Sequence, residues 1–167
     1  TYGGTGAEIA SSVQQAFDQY VEVVEAALEA GIRVRCHLED VTRSDWEGFI
    51  FPFVQKVMKL GEQVPENLKP KIRLCDTMGF GITYPGARPP RSVPKLIWYM
   101  NNECGVPPER LEWHGHNDFH KVLINACAGW LYGCNAANGT LFGYGERTGN
   151  PPLDGTIIEL CSLRGNT

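Results

Sequence analysis

Side-chain parity in three short segments constrains this chain more than any other feature of its sequence. In the strand expected over Ile32–Leu38, Arg33, Arg35 and His37, continued by Glu39, alternate with Ile32, Val34, Cys36 and Leu38. Successive residues of a strand point to opposite faces, so one side of this segment is charged and the other apolar. The pattern recurs twice. Arg73, Cys75 and Thr77 oppose Ile72 and Leu74 around the strand Ile72–Cys75, and Glu112, His114 and His116 share one face around Leu111–His114. A sheet covered by helices on both sides is apolar on both. These strands fit a barrel instead, with an apolar outside under helices and paired charges inside.

Between the strands the apolar period changes to that of helices. Val13, Phe17, Tyr20, Val21, Val24 and Leu28 predict a helix over about Ala7–Ala30, stopped by Gly31. Asp45 is a cap for a helix reaching about Gly61, Ser92 opens one to about Glu103, and Asp118 is placed to cap an apolar one through Leu131. Thr140–Phe142 reads as a last short strand, and a final helix starts near Leu153. The order is a leading helix over 1–31, then four β/α units over 32–167, which implies parallel strands with right-handed crossovers. Four strands cannot close a barrel that needs eight. The expected fold is therefore α/β, a partial TIM barrel amounting to half of one. The alternative is a self-contained flavodoxin-like domain.

With 43% hydrophobic and 20% charged residues the 167-residue chain has the composition of an ordinary globular domain. A net charge of −4, with scattered Lys and Arg, argues against nucleic acid as a partner. No apolar run approaches the roughly 20 residues of a membrane span, and no secretion leader is evident, so no membrane association is expected. None of the six cysteines is paired at two-residue spacing, which suits a reduced, cytoplasmic protein.

The segment Trp113-His114-Gly115-His116-Asn117-Asp118 carries the chemistry. Two histidines two apart project to the same side, at the strand end where barrel active sites are built. Both imidazoles can reach one cation, with Gly115 expected to leave room beside them. The loop Gly143-Tyr144-Gly145-Glu146-Arg147-Thr148-Gly149-Asn150 is spaced wrongly for a dinucleotide fingerprint and lacks the acidic residue that should follow. A turn bringing backbone and the Asn150 amide toward the metal suits it better.

Together these two motifs resemble the metal and loop signatures of the DRE-TIM metallolyases. That family includes homocitrate, isopropylmalate, citramalate and Re-type citrate synthases and the 3-hydroxy-3-methylglutaryl-CoA lyases. His37-Leu38-Glu39-Asp40-Val41-Thr42-Arg43 is similar to its fifth-strand motif and Cys75-Asp76-Thr77-Met78-Gly79 to its sixth, so the four units correspond to strands 5–8. The Gly-Glu-Arg-Thr-Gly-Asn loop points to the synthase branch. The resemblance implies that His114 and His116 bind a divalent metal (Mg²⁺, Mn²⁺ or Zn²⁺), with Asn150 in or next to the coordination shell. It implies that Thr77 hydrogen-bonds the carboxylate of a 2-oxo acid, that Glu39 is a polar or acid–base group beside it, and that His37 lies on the substrate side. Arg43, Asp118 and Glu146 are expected to order loops; Thr42 stays undecided. The family's Asp-Arg-Glu motif is absent from these 167 residues. The chain is accordingly expected to be part of an acyltransferase that condenses acetyl-CoA with a 2-oxo acid, inactive by itself and homodimeric. Lyase or carboxyltransferase chemistry on the same metal site is the alternative, and a non-catalytic half-barrel associating through its sheet edges is another.

Overall fold

The computed structural model describes residues 6–165, with side chains from residue 10 onward, so the first five residues of the expected leading segment lie outside the described part. Helix α1 (Gly6–Glu29) leads into β1 (Arg35–Leu38), α2 (Phe51–Gly61), β2 (Lys71–Asp76) and α3 (Val93–Asn102). β3 (Leu111–Gly115), α4 (Val122–Tyr132), β4 (Ala136–Ala137) and α5 (Leu153–Arg164) complete it. The four strands form one parallel sheet in sequence order, so each helix returns the chain to the next position along the same sheet. Among the described residues no helix is long and apolar enough to cross a membrane.

The two faces of the sheet differ as the alternation predicts. On the outer face Ile72, Leu74, Leu111 and Trp113 are fully buried, in one core with Val54 and Val57 of α2 and Leu96, Ile97 and Met100 of α3. Each such side chain contributes roughly 1.5–3 kcal/mol when withdrawn from water. On the inner face the Glu112 carboxylate collects three cations. Arg73 donates to it from Nε at 3.0 Å and Nη2 at 2.8 Å, Lys71 approaches to 3.3 Å and Arg35 to 3.4 Å. Burial opposes ionisation of Glu112, but the hydrogen bonds from Arg73 and Lys71 outweigh it and hold the carboxyl below its ordinary range. The register sets Arg73 opposite both His37 and Glu112, one layer below Cys75 and His114.

Two helix starts form as the sequence predicts. Asp45 accepts a hydrogen bond from Gly48 N at 2.9 Å, although the helix opens with a wide π turn over Trp46–Ile50 before α2. Ser92 Oγ accepts from Lys95 N at 3.4 Å. Gly31, with φ +72°, ends the first helix in the left-handed conformation that favours glycine.

Three expectations need correction. β1 starts at Arg35 rather than Ile32; Ile32 is 59% exposed, in the turn that leaves α1. The last strand is Ala136–Ala137, paired with Glu112 and Trp113, while Leu141–Gly143 is a single 3₁₀ turn with Phe142 at φ +54°. Asn138 N extends that pairing by donating to Trp113 O at 2.8 Å, whereas Thr140 bridges Pro152 instead of β3. Asp118 does not cap α4, which begins four residues later with no side-chain cap; its carboxylate is taken by Arg147.

Candidate metal and substrate site

β3 delivers His114 and His116 to the inner face at its C-terminal end. Their Nε2 atoms stand 3.2 Å apart, with the ring planes at 86°. Two imidazole nitrogens each about 2.0–2.1 Å from one ion would be separated by about 3.0–3.4 Å, so the donor pair fits a shared cation. Both Nδ1 atoms are buried without a protein partner among the described residues. Burial first, then the neighbouring His116 and Arg73, lower the pKa of His114 and favour the neutral ring that a metal requires. Gly115 does not make room beside the ligands. It faces the core, where a Cβ would meet Trp113 Nε1 at 3.2 Å and Val122 Cγ2 at 3.4 Å.

The glycine-rich loop closes over this pair. Asn117 N donates to Gly149 O, and Asn150 N donates to Gly143 O, both at 3.0 Å. Asn150 is buried, and its Nδ2 donates to the carbonyl of Gly115, the residue between the histidines. Its Oδ1 packs so closely on Gly145 that a Cβ there would sit 1.8 Å away, so position 145 must be glycine while Asn150 holds this rotamer. Glu146 brings a carboxylate oxygen to 4.0 Å from His116 Nε2, besides contacting Arg147 at 3.2 Å.

Glu39 and Thr77 meet one strand over. Thr77 Oγ1 accepts from Asp40 N and donates to Glu39 Oε2, each at 2.7 Å. His37, Glu39 and Cys75 have potential ligand atoms within 4.8 Å of one another. Arg43 folds back on Asp40 through two hydrogen bonds, at 2.9 and 2.5 Å, and its guanidinium lies 5.2 Å from the Phe80 ring centre. Thr42 is buried and donates to Asp76 Oδ1 at 2.7 Å.

Sequence reasoning missed three groups. Asp76 Oδ2 accepts from Gly81 N, Asn125 Nδ2 donates to Gly81 O, and Thr83 donates to Asn125 Oδ1. This buried chain anchors the start of the long connection after β2. Burial raises the Asp76 pKa against the opposing hydrogen bonds. The second group is Arg147, which grips both Asp118 oxygens at 2.9 and 3.0 Å and donates to Thr77 O, linking the ends of β2 and β3 to the loop of Asn150. It does so from φ +52°, a conformation that costs a non-glycine residue about 1–3 kcal/mol. The third is Cys75, whose inward parity was visible but whose neighbours were not.

A family model described as HMGL-like matches residues 5–166. Citrate (Re)-synthase from Syntrophus aciditrophicus (strain SB) is 58% identical over 153 residues, and that from Clostridium kluyveri is 47% identical over 154; each alignment covers 92% of this chain. 2-Phosphinomethylmalate synthase from Streptomyces hygroscopicus is 41% identical over 149 residues, 89% of this chain. The chain spans 24%, 34% and 33% of those three proteins, so about a quarter to a third of their length. Among solved structures, an HMG-CoA lyase from Acinetobacter baumannii matches with TM-score 0.62 at 22% identity, over 92% of this chain and 48% of that one. The enzyme from Pseudomonas aeruginosa matches at 0.58 and 23%, over 90% and 48%. The fold is thus about half of the barrel that those lyases complete. With the family model spanning nearly all of its residues, this chain belongs to the HMGL-like family.

Proposed function

We propose that this chain is the metal-binding half of an acyltransferase barrel that condenses acetyl-CoA with a 2-oxo acid, and that the 2-oxo acid is oxaloacetate, giving citrate. The observation that carries the reading is the convergence of His114 and His116 Nε2 at 3.2 Å, with the buried Asn150 bonded to the backbone between them. The identity to two citrate (Re)-synthases supports the choice of product.

His114 and His116, joined by the Asn150 amide, would hold a divalent ion, which supplies Lewis-acid polarisation of the keto group. In the reaction a base removes a proton from the acetyl methyl group and that carbon bonds to the keto carbon. The keto oxygen becomes a hydroxyl, and water then cleaves the thioester to release CoA.

The chain's own residues position these events. The Thr77 hydroxyl donates its single proton to Glu39 here. To donate instead to the substrate carboxylate it must release Glu39, whose carboxylate becomes more basic once it loses that donor. Substrate binding and activation of the carboxylate are coupled through one hydroxyl. Arg147 keeps the Thr77 carbonyl and the Asn150 loop in register while this happens.

The test is citrate formation from acetyl-CoA and oxaloacetate by a polypeptide that joins this segment to its complementary strands. His114→Ala and His116→Ala should each lower kcat/KM by roughly 10²-fold or more. Thr77→Val should raise KM for the 2-oxo acid and lower kcat as well. Unchanged turnover in either histidine variant would refute the reading.

A further inference from the structure

We propose that His37, Glu39 and Cys75 form a second cation site, selective for thiophilic divalent ions and separate from the His114–His116 pair. An imidazole nitrogen, a carboxylate oxygen and the thiol sulfur all lie within 4.8 Å of one another. An ion bonded at about 2.0–2.3 Å to nitrogen, oxygen and sulfur needs these donors about 3.2–3.8 Å apart. Side-chain rotation of the exposed His37 and Glu39 covers that difference without moving the backbone.

Strand geometry makes the cluster. His37 and Glu39 project to the same face of β1 and its continuation, and the register Leu38↔Leu74 brings Cys75 level with Glu39 on the neighbouring strand. Cys75 is paired in turn with His114 of β3. The two donor sets therefore share a wall of the barrel but no ligand. Electrostatics permit occupancy. The neighbouring cations Arg73 and Arg35 are both turned to Glu112, and although burial and Glu39 push the Cys75 thiol up to about 12, a bound cation offsets the same Glu39 charge that raises it. On binding, the metal–sulfur bond replaces the S–H bond and the thiol proton leaves to solvent, so the neutral His37 and two anionic donors balance a divalent ion.

Ligand softness sets the selectivity. Imidazole, carboxylate and thiolate suit Zn²⁺, Co²⁺ or Cd²⁺, whereas Mg²⁺ and Mn²⁺ avoid sulfur. Occupancy would also draw the Glu39 carboxylate away from Thr77, so a thiophilic ion at this position inhibits the chemistry proposed above. That consequence rests on the functional reading; the site itself does not.

The probe is Co²⁺ titrated into the reduced 167-residue chain, followed by absorption. One equivalent should produce a near-ultraviolet sulfur-to-cobalt charge-transfer band. Cys75→Ser should abolish it, and His37→Ala should weaken the affinity at least about tenfold. A His114→Ala/His116→Ala double variant should retain it. No band in the unsubstituted chain, a band surviving Cys75→Ser, or its loss in the double histidine variant each overturns the proposal. Circular dichroism checks folding of every variant. If the buried Cys75→Ser substitution unfolds the chain, His37→Ala decides, because that side chain is exposed and its loss leaves the core intact.

Discussion

Two positions show how a single residue can organise this site. Gly145 is required by the Asn150 amide packed against it. Gly145→Ala must push the Asn150 side chain out of its rotamer, and the expected outcome is a 10–100-fold loss of divalent-metal affinity, read by titration calorimetry, with little change in thermal stability. Glu112 is the other. It is the carboxylate on which Arg35, Lys71 and Arg73 converge, and Glu112→Gln should cost about 2–4 kcal/mol in urea unfolding at pH 7. Its pKa is lower in the folded chain than in the unfolded one. The stabilisation is therefore present above the unfolded-state value and is lost as pH falls through the folded one. Unfolding curves between pH 7 and pH 3 should show a steeper acid loss for the parent chain than for Glu112→Gln. Parallel curves would remove Glu112 from that role.

At the scale of elements, the strands position the chemistry and the loops lock it. Arg147 ties β2, β3 and the loop before α5 together, and a bidentate grip on Asp118 needs the planar guanidinium. Arg147→Lys should behave nearly as Arg147→Ala, and amide exchange at Asn117 and Asn150 should accelerate in both; protection unchanged in the alanine variant would contradict the linkage. The same segments show what was legible. Period-two alternation exposed the polar inner face, because His37, Arg73 and Glu112 stand out sharply against Leu38, Leu74 and Trp113. The caps Asp45 and Ser92 were legible because each bonds to backbone three residues on. Ala136–Ala137 was not, since two small residues carry no strand signal and pair only because β3 is already in place. Asp118 misled for a related reason. A carboxylate placed ahead of an apolar run resembles a cap, and only the fold reveals Arg147, 29 residues later, as its partner. The pair His114 and His116 was visible as a motif, whereas the Cys75–Glu39–His37 cluster depends on strand register that no local pattern encodes.

At the largest scale, the described residues form one four-stranded sheet with β1 and β4 at its edges. α5 presents Ile157, Ile158 and Leu163, and α4 presents Leu131 and Tyr132, as exposed apolar side chains. Unpaired edges beside apolar surface promote association. The chain is expected to self-associate in a concentration-dependent way in sedimentation velocity, and Ile158→Glu with Leu163→Glu should shift it toward monomer. A strict monomer across the accessible concentration range would contradict this. The fold as a whole leads to one proposal, that His114 and His116 serve one ion. It is tested most directly by following histidine side-chain ¹H–¹⁵N correlations during titration with Mn²⁺, a paramagnetic ion that avoids the thiol. The ring resonances of His114 and His116 should broaden in step while those of the exposed His120 persist, and His116→Ala should abolish the effect at His114. Broadening of only one ring, or equal broadening of all the histidines, would contradict the account.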